Sequence, residues 1–194
     1  MTADRDDRLV RALLWRREDE PGMEHFRLHV GDGGARLTGT VLLAHDGAPL
    51  HAEYEVECSV AWETRAVRVT QRYGGAERAL VRTVSDGRWW RDGADVPTLH
   101  GCVDVDIAVT PSTNTLPIRR LRMAVGETRE ITAAWVRLPE LVVQPLVQRY
   151  TRVDARRWRY ESPAHGFATE LEVDELGIVV RYPPVWERVA VAGG

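Results

Sequence analysis

Turn signals recur along the whole chain and leave little room between them for anything but strands. They fall at Gly31-Asp32-Gly33-Gly34, Asp46-Gly47, Gly74-Gly75, Asp86-Gly87, Asp92-Gly93, Gly126-Glu127, Pro163 to Gly166 and Leu176-Gly177. Asp-Gly and Gly-Gly pairs supply the positive-φ residues that two-residue hairpins require. The intervening runs are of strand length and rich in Val, Thr, Tyr and Trp, residues that suit a pleated, half-buried surface. Strands are expected at 26–30, 36–44, 52–58, 65–73, 78–84, 102–109, 118–125, 129–137, 143–152, 157–161, 168–173 and 178–182. Alternation is clear in places: Phe167, Thr169, Leu171 and Val173 take one face, and Ala168, Glu170, Glu172 and Asp174 the other. A period of two with one polar face fits an antiparallel sheet. Helical pattern is scarce. Leu9, Val10, Leu13 and Leu14 allow a short helix over 4–14, and 138–141 a single turn. About a dozen evenly spaced strands predict an all-β fold, a barrel or strongly curved antiparallel sheet. No linker or low-complexity segment divides the 194 residues, so one domain spanning 1–194 is expected.

Charge and composition narrow the function classes. A net charge of -3 supplies no basic field, so nucleic acid is not an expected partner. All 26 basic residues are Arg, the reading of least consequence being codon bias, although Arg also forms bidentate contacts that Lys cannot. The apolar stretch 9–15 is short and broken by Arg11, which argues against a secretory leader. No run reaches the ~18 apolar residues of a membrane span. A cytoplasmic location follows as the expectation, with Cys58 and Cys102 as free thiols; a single disulfide between them is the less usual alternative in a reducing compartment.

The richest segment for chemistry is 99–121. Read as a strand, it puts His100, Cys102, Asp104 and Asp106 on one face and Gly101, Val103, Val105 and Ile107 on the other. Four groups spaced about 6.5–7 Å apart along one strand cannot converge on one metal ion, so no metal is expected. Asp104 and Asp106 have the separation of an acid/base pair in inverting glycosidases, a test that any such pair on a strand meets. The loop 110–117, with prolines near both ends, reads as a structured connection or as a polar rim for a ligand head group. Arg119 and Arg120 are expected on opposite faces of the strand that follows, one of them either gripping an anionic group or pairing with Asp104 or Asp106. Seven Trp and five Tyr serve a core or the wall of an amphipathic pocket, and Trp186 is placed to close one end of a barrel. The hydrolase, metalloprotease and phosphate-loop motifs Gly-x-Ser-x-Gly, His-Glu-x-x-His and Walker A are missing.

Longer stretches carry a resemblance. Trp62-Glu-Thr-Arg65, Gly101-Cys-Val-Asp-Val-Asp106 and Thr110-Pro-x-x-Asn-Thr-Leu-Pro-Ile-Arg-Arg-Leu121 resemble the bacterial putative glycolipid-binding family. So do Gln148-Arg-Tyr150, Tyr160-Glu-Ser162, Val173-Asp174, Tyr182-Pro183, Trp186-Glu-Arg188, Leu14-Trp-Arg-Arg17 and Gly22-x-Glu24. The likeness covers almost the whole chain. It implies a curved antiparallel sheet forming an open or incomplete barrel, similar to periplasmic lipoprotein carriers and mycobacterial lipid-binding lipoproteins. Those carriers work outside the cytoplasm, and this chain departs from them in showing no export signal.

The reading that results is a non-enzymatic protein, without cofactor, that holds a glycolipid or another amphipathic small molecule in the groove of a curved sheet. Val103, Val105 and Ile107 are expected to line the groove. Asp104, Asn114 and Arg119 are expected at its polar mouth. Trp62, Arg65, Asp106, Tyr150, Tyr160 and Trp186 complete the candidate ligand-binding set. Two alternatives stand beside it: a hydrolase of carbohydrate or lipid conjugates with Asp104 and Asp106 as acid and base, and a module that closes its apolar face as a homodimer.

Overall fold

The computed structural model describes residues 7–193 and contains one 15-stranded sheet. The strands are β1 (Arg8–Arg17), β2 (Gly22–Gly31), β3 (Gly34–His45), β4 (Ala48–Cys58), β5 (Thr64–Tyr73), β6 (Ala76–Ser85), β7 (Arg88–Arg91) and β8 (Ala94–Asp95). They continue with β9 (Val105–Ile107), β10 (Thr128–Arg137), β11 (Val142–Arg152), β12 (Arg157–Ser162), β13 (Phe167–Val173), β14 (Val179–Tyr182) and β15 (Trp186–Gly193). The order across the sheet is β8 back to β1, then β15 back to β9. Strands therefore pair with their sequence neighbours except at β8 and β9, the two outer edges, and the two runs join where β1 meets β15. All pairings are antiparallel except the short β9–β10 contact. The sheet is open rather than a closed barrel.

Local chemistry explains most of the hairpins. Asp46-Gly47, Asp86-Gly87 and Asp92-Gly93 all have positive φ, from 49° to 79°, the twist-matched two-residue turn that joins antiparallel strands. Inward positions then alternate: Leu50, Ala52, Tyr54, Val56 and Cys58 of β4 are buried, as are Glu24, Phe26 and Leu28 of β2. Gly39 lies opposite Tyr54. A side-chain carbon at Gly39 would fall on the Tyr54 ring, so the missing side chain makes room for the tyrosine to lie flat across β3.

The concave face is filled by the chain itself. Residues 97–123 leave the sheet after β8 and run through the interior, burying Leu99, Cys102, Leu116, Ile118 and Met123. This segment also forms the seam of the incomplete barrel. On one side Thr64 N–H of β5 bonds the Val103 carbonyl at 3.1 Å, and Val105 N–H bonds Thr64 Oγ1 at 3.1 Å. On the other side Ala134 N–H of β10 bonds the Asp104 carbonyl at 2.8 Å. Two indoles fasten the wall: Trp15 Nε1 donates to the Val179 carbonyl at 2.9 Å, and Trp89 Nε1 to the Cys102 carbonyl at 2.8 Å.

Several sequence expectations change here. The part of the proposed 4–14 helix that lies within the described residues is strand β1, with Leu13 and Trp15 turned inward; residues 4–6 lie outside the described residues. The strand at 102–109 shrinks to β9. The strand at 118–125 is replaced by helix α1 (Thr115–Arg120) and loop. Pro117 lies in the first turn of this helix, where its missing N–H is one that no helical carbonyl needs. Val105 and Ile107 line no groove: they are packed in the core at 1% and 0% exposure. The loop 110–117 is a buried, structured connection, with Thr110 and Asn114 in the lining of a cavity. Arg119 and Arg120 are successive helical residues instead of opposite faces of a strand. Strand β15 and the β7–β8 hairpin have no counterpart among the expected elements. Residues 138–141 form the turn foreseen, and Cys58 and Cys102 are buried free thiols.

Candidate functional site

Three enclosed carboxyl groups stand along the inner segment, each with different partners. Asp104 lies in the fork of Arg120, with Nε at 3.0 Å and Nη2 at 2.6 Å. Burial pushes this carboxyl up, and the guanidinium opposes the rise. Glu24, fully buried on β2, accepts hydrogen bonds from the Tyr54 hydroxyl and, at 2.8 Å, from Thr110 Oγ1, while its Oε2 has no partner. Burial raises it to about 8, so it is a neutral acid at pH 7. The Tyr54 hydroxyl is also hydrogen-bonded to Ser112 Oγ at 2.7 Å, which ties β4 to the inner segment.

Asp106 is the third, and it faces an opening. Its donors are neutral: Gln148 Nε2 at 2.5 Å and Thr113 Oγ1 at 3.4 Å. Burial raises it to about 6. Beside it Tyr150 donates its hydroxyl to Asn114 Oδ1 at 2.9 Å, and Asn114 Nδ2 is anchored on the Pro111 carbonyl at 3.1 Å.

Above Asp106 and Asn114 opens a cavity of about 400 Å3. Its walls come from the second run of the sheet: Trp135, Leu146, Tyr160, Phe167, Tyr182 and Trp186, with Ser162 and His165 at the β12–β13 connection. Period-two alternation aims these side chains inward from neighbouring strands. Tyr160, Phe167 and Tyr182 form a ring cluster with centroids 6.0–6.2 Å apart. Arg17 lies over Trp186, 5.4 Å from the ring, and is itself held by Asp19 at 2.8 Å and Glu20 at 2.6 Å. An apolar, aromatic hollow with a few convergent polar groups is the usual form of a small-molecule site. The other end of the sheet has a different character. Hollows of about 290 and 590 Å3 there are walled largely by turns and by charged side chains, including Arg36, Glu57, Glu63 and Asp86.

The candidate residues divide between these regions. Asp106, Asn114, Tyr160 and Trp186 line the cavity, and Tyr150 braces Asn114 from behind. Asp104 is held by Arg120 and does not line it. Arg119 lies over Trp62 at 4.8 Å, beside the β13–β14 turn, and Arg65 is exposed on the rim of the charged hollows. Sequence reasoning singled out none of Phe167, Tyr182, His165 or Trp135 as site residues. The strand alternation that places Phe167 inward was the available signal. Among the described residues no group of three or more His, Cys, Asp or Glu is arranged to hold a metal ion, and no helix is long and apolar enough to cross a membrane.

Comparison with known proteins places this architecture. A crystal structure of a DUF1089 family protein from Pseudomonas aeruginosa matches with a TM-score of 0.81 and 31% sequence identity, over 90% of this chain and 95% of that one. No curated protein matches the chain. The family described as "Putative glycolipid-binding" matches residues 12–188, which span both runs of the sheet and the whole inner segment, and the chain belongs to that family.

Proposed function

We propose that the protein binds a glycolipid-type amphipathic molecule without chemical turnover, and that the sugar head group occupies the cavity above Asp106. The observation that carries this reading is the composition of the cavity: aromatic faces on several strands for the apolar faces of a sugar ring, and Asp106 and Asn114 at the base for its hydroxyls. The family description supports a glycolipid ligand. The core interior is filled by residues 97–123, so the alkyl chain runs out along the mouth, past Phe167 and Val185, rather than into the sheet. Asp104 is fixed by Arg120 and is not available to trade protons with a substrate, so the site favours binding over acid/base hydrolysis.

Titration of the full chain with octyl β-glucoside below its critical micelle concentration, followed by tryptophan fluorescence and calorimetry, tests the proposal. Saturable one-to-one binding that weakens at least about tenfold in Phe167→Ala supports it; tenfold is about 1.4 kcal/mol, ordinary for one ring contact. No saturable binding of alkyl glycosides, or binding indifferent to Phe167, overturns it.

A further inference from the structure

We propose that the head group the cavity selects is cationic, an ammonium carried on the sugar or on a small amino alcohol, with Asp106 as its counter-charge. The inference rests on the reading of the cavity as a head-group site and names its chemical class.

Asp106 differs from the other enclosed acids of this chain. Asp104 has Arg120 at 2.6 Å, Asp174 has Arg188 at 2.6 Å, and Glu24 is sealed among hydroxyls as a neutral acid. Among the described residues no arginine or histidine pairs with Asp106; its hydrogen bonds come from an amide and a hydroxyl. The Arg17 guanidinium in the same lining is already committed to Asp19 and Glu20. A carboxyl in this setting is stabilised by a cation that arrives from outside.

The neighbouring surfaces suit such a cation. Tyr160, Phe167 and Tyr182 cluster with centroids 6.0–6.2 Å apart, and an ammonium over aromatic faces gains from the ring quadrupoles, most strongly where water is excluded. An anionic head group would instead meet Asp106, while the Arg17 guanidinium in the lining is already paired with Asp19 and Glu20. The arrangement therefore discriminates by charge as well as by shape.

Two pairs of probes isolate the charge on the intact chain at pH 7. Choline and its neutral isostere 3,3-dimethylbutan-1-ol differ in charge at constant shape; octyl glucosaminide and octyl glucoside differ in an amine for a hydroxyl. The expected result is at least about tenfold tighter binding of a charged member, with the choline N-methyl protons shifted upfield in NMR if choline is the better ligand. Which charged member binds better distinguishes an amino sugar from an amino alcohol. In Asp106→Asn the affinity ratio within each pair falls to about one, whatever the variant does to the affinity for octyl glucoside itself. Should that variant fail to fold, the comparisons on the unaltered chain decide alone. Equal binding within both pairs, or a preference that survives in Asp106→Asn, overturns the inference and leaves the proposed function standing. If neither glycosides nor amines bind, both fall.

Discussion

Glu24 and Asp106 stand on opposite flanks of the same inner segment, and their surroundings show what each half of the sheet is for. Glu24 is closed in by Tyr54, Thr110 and Ser112, on the half where long strands β2 to β5 pack Leu, Val and Phe side chains to near-zero exposure. Asp106 is met by Gln148 and Thr113 and then by open space among aromatic rings. One half closes over its acid, and the other leaves its acid facing a cavity. A buried acid by itself is no mark of a site; what distinguishes Asp106 is access.

The sharpest way to test this contrast is pH. Glu24 stays protonated in the fold to about 8, against an ordinary value of 4.5. Below 4.5 both folded and unfolded chains hold this proton. Between 4.5 and 8 only the folded chain does, so its contribution to stability falls as pH rises through that window. The loss reaches about 5 kcal/mol at most. Glu24→Gln keeps the carbonyl that Tyr54 and Thr110 reach, so denaturation midpoints should lose most of this slope and lie above those of the parent at pH 8.5. An unchanged slope would mean that the acid is not sealed.

Next in size is Arg120→Ala. It strands the buried Asp104 carboxylate, and urea unfolding should show a loss of about 3–5 kcal/mol. Replacing both partners with Met and Asn should recover much of it. Gly39→Ala pushes a methyl into the Tyr54 ring and should cost about 2 kcal/mol; a neutral result would show that the sealed half tolerates repacking. At the small end, His165→Ala removes an exposed residue at the cavity mouth, where His165 bonds Ser162 and stands edge-on to Trp135. Thermal melting should move by no more than the equivalent of about 0.5 kcal/mol, while affinity for a head group changes.

The legibility of the sequence divides along similar lines. Hairpins with Asp-Gly turns, such as β3–β4, could be read directly because turn chemistry and alternation are local. The segment 102–123 could not. Its apolar and polar positions alternate like those of a strand, yet protein packs against both faces, so both Val105 and Asp104 are buried and the two-face pattern loses its meaning. Strand β1 also reads as a helix because Leu9, Val10, Leu13 and Leu14 fit a helical stripe, and only pairing with β2 and β15 decides the matter. The motif spanning residues 101–121 contains Asp106 and Asn114, which line the cavity. Tyr182 and Phe167 come from distant strands and join them only through the pairing of β9 to β14 across the sheet, which no local window contains.

The pairing of β1 with β15 has a consequence for how the molecule comes into being. Arg11 lies opposite Gly193, and Arg17 opposite Trp186, so the middle of the sheet is made from residues almost the full sequence apart. Emerging from a ribosome, the first eight strands can zip up as a meander while the flank of β1 remains unsatisfied until the final strand is synthesised. Such distant closure is slow compared with hairpin formation, and an open strand edge invites pairing with other chains in the meantime. The central seam, rather than either outer edge, is therefore where nascent chains of this protein are most vulnerable to mispairing. The bulges in β1, between Leu9 and Arg11 on one flank and between Leu14 and Trp15 on the other, interrupt the regular ladder that a wrong partner would need.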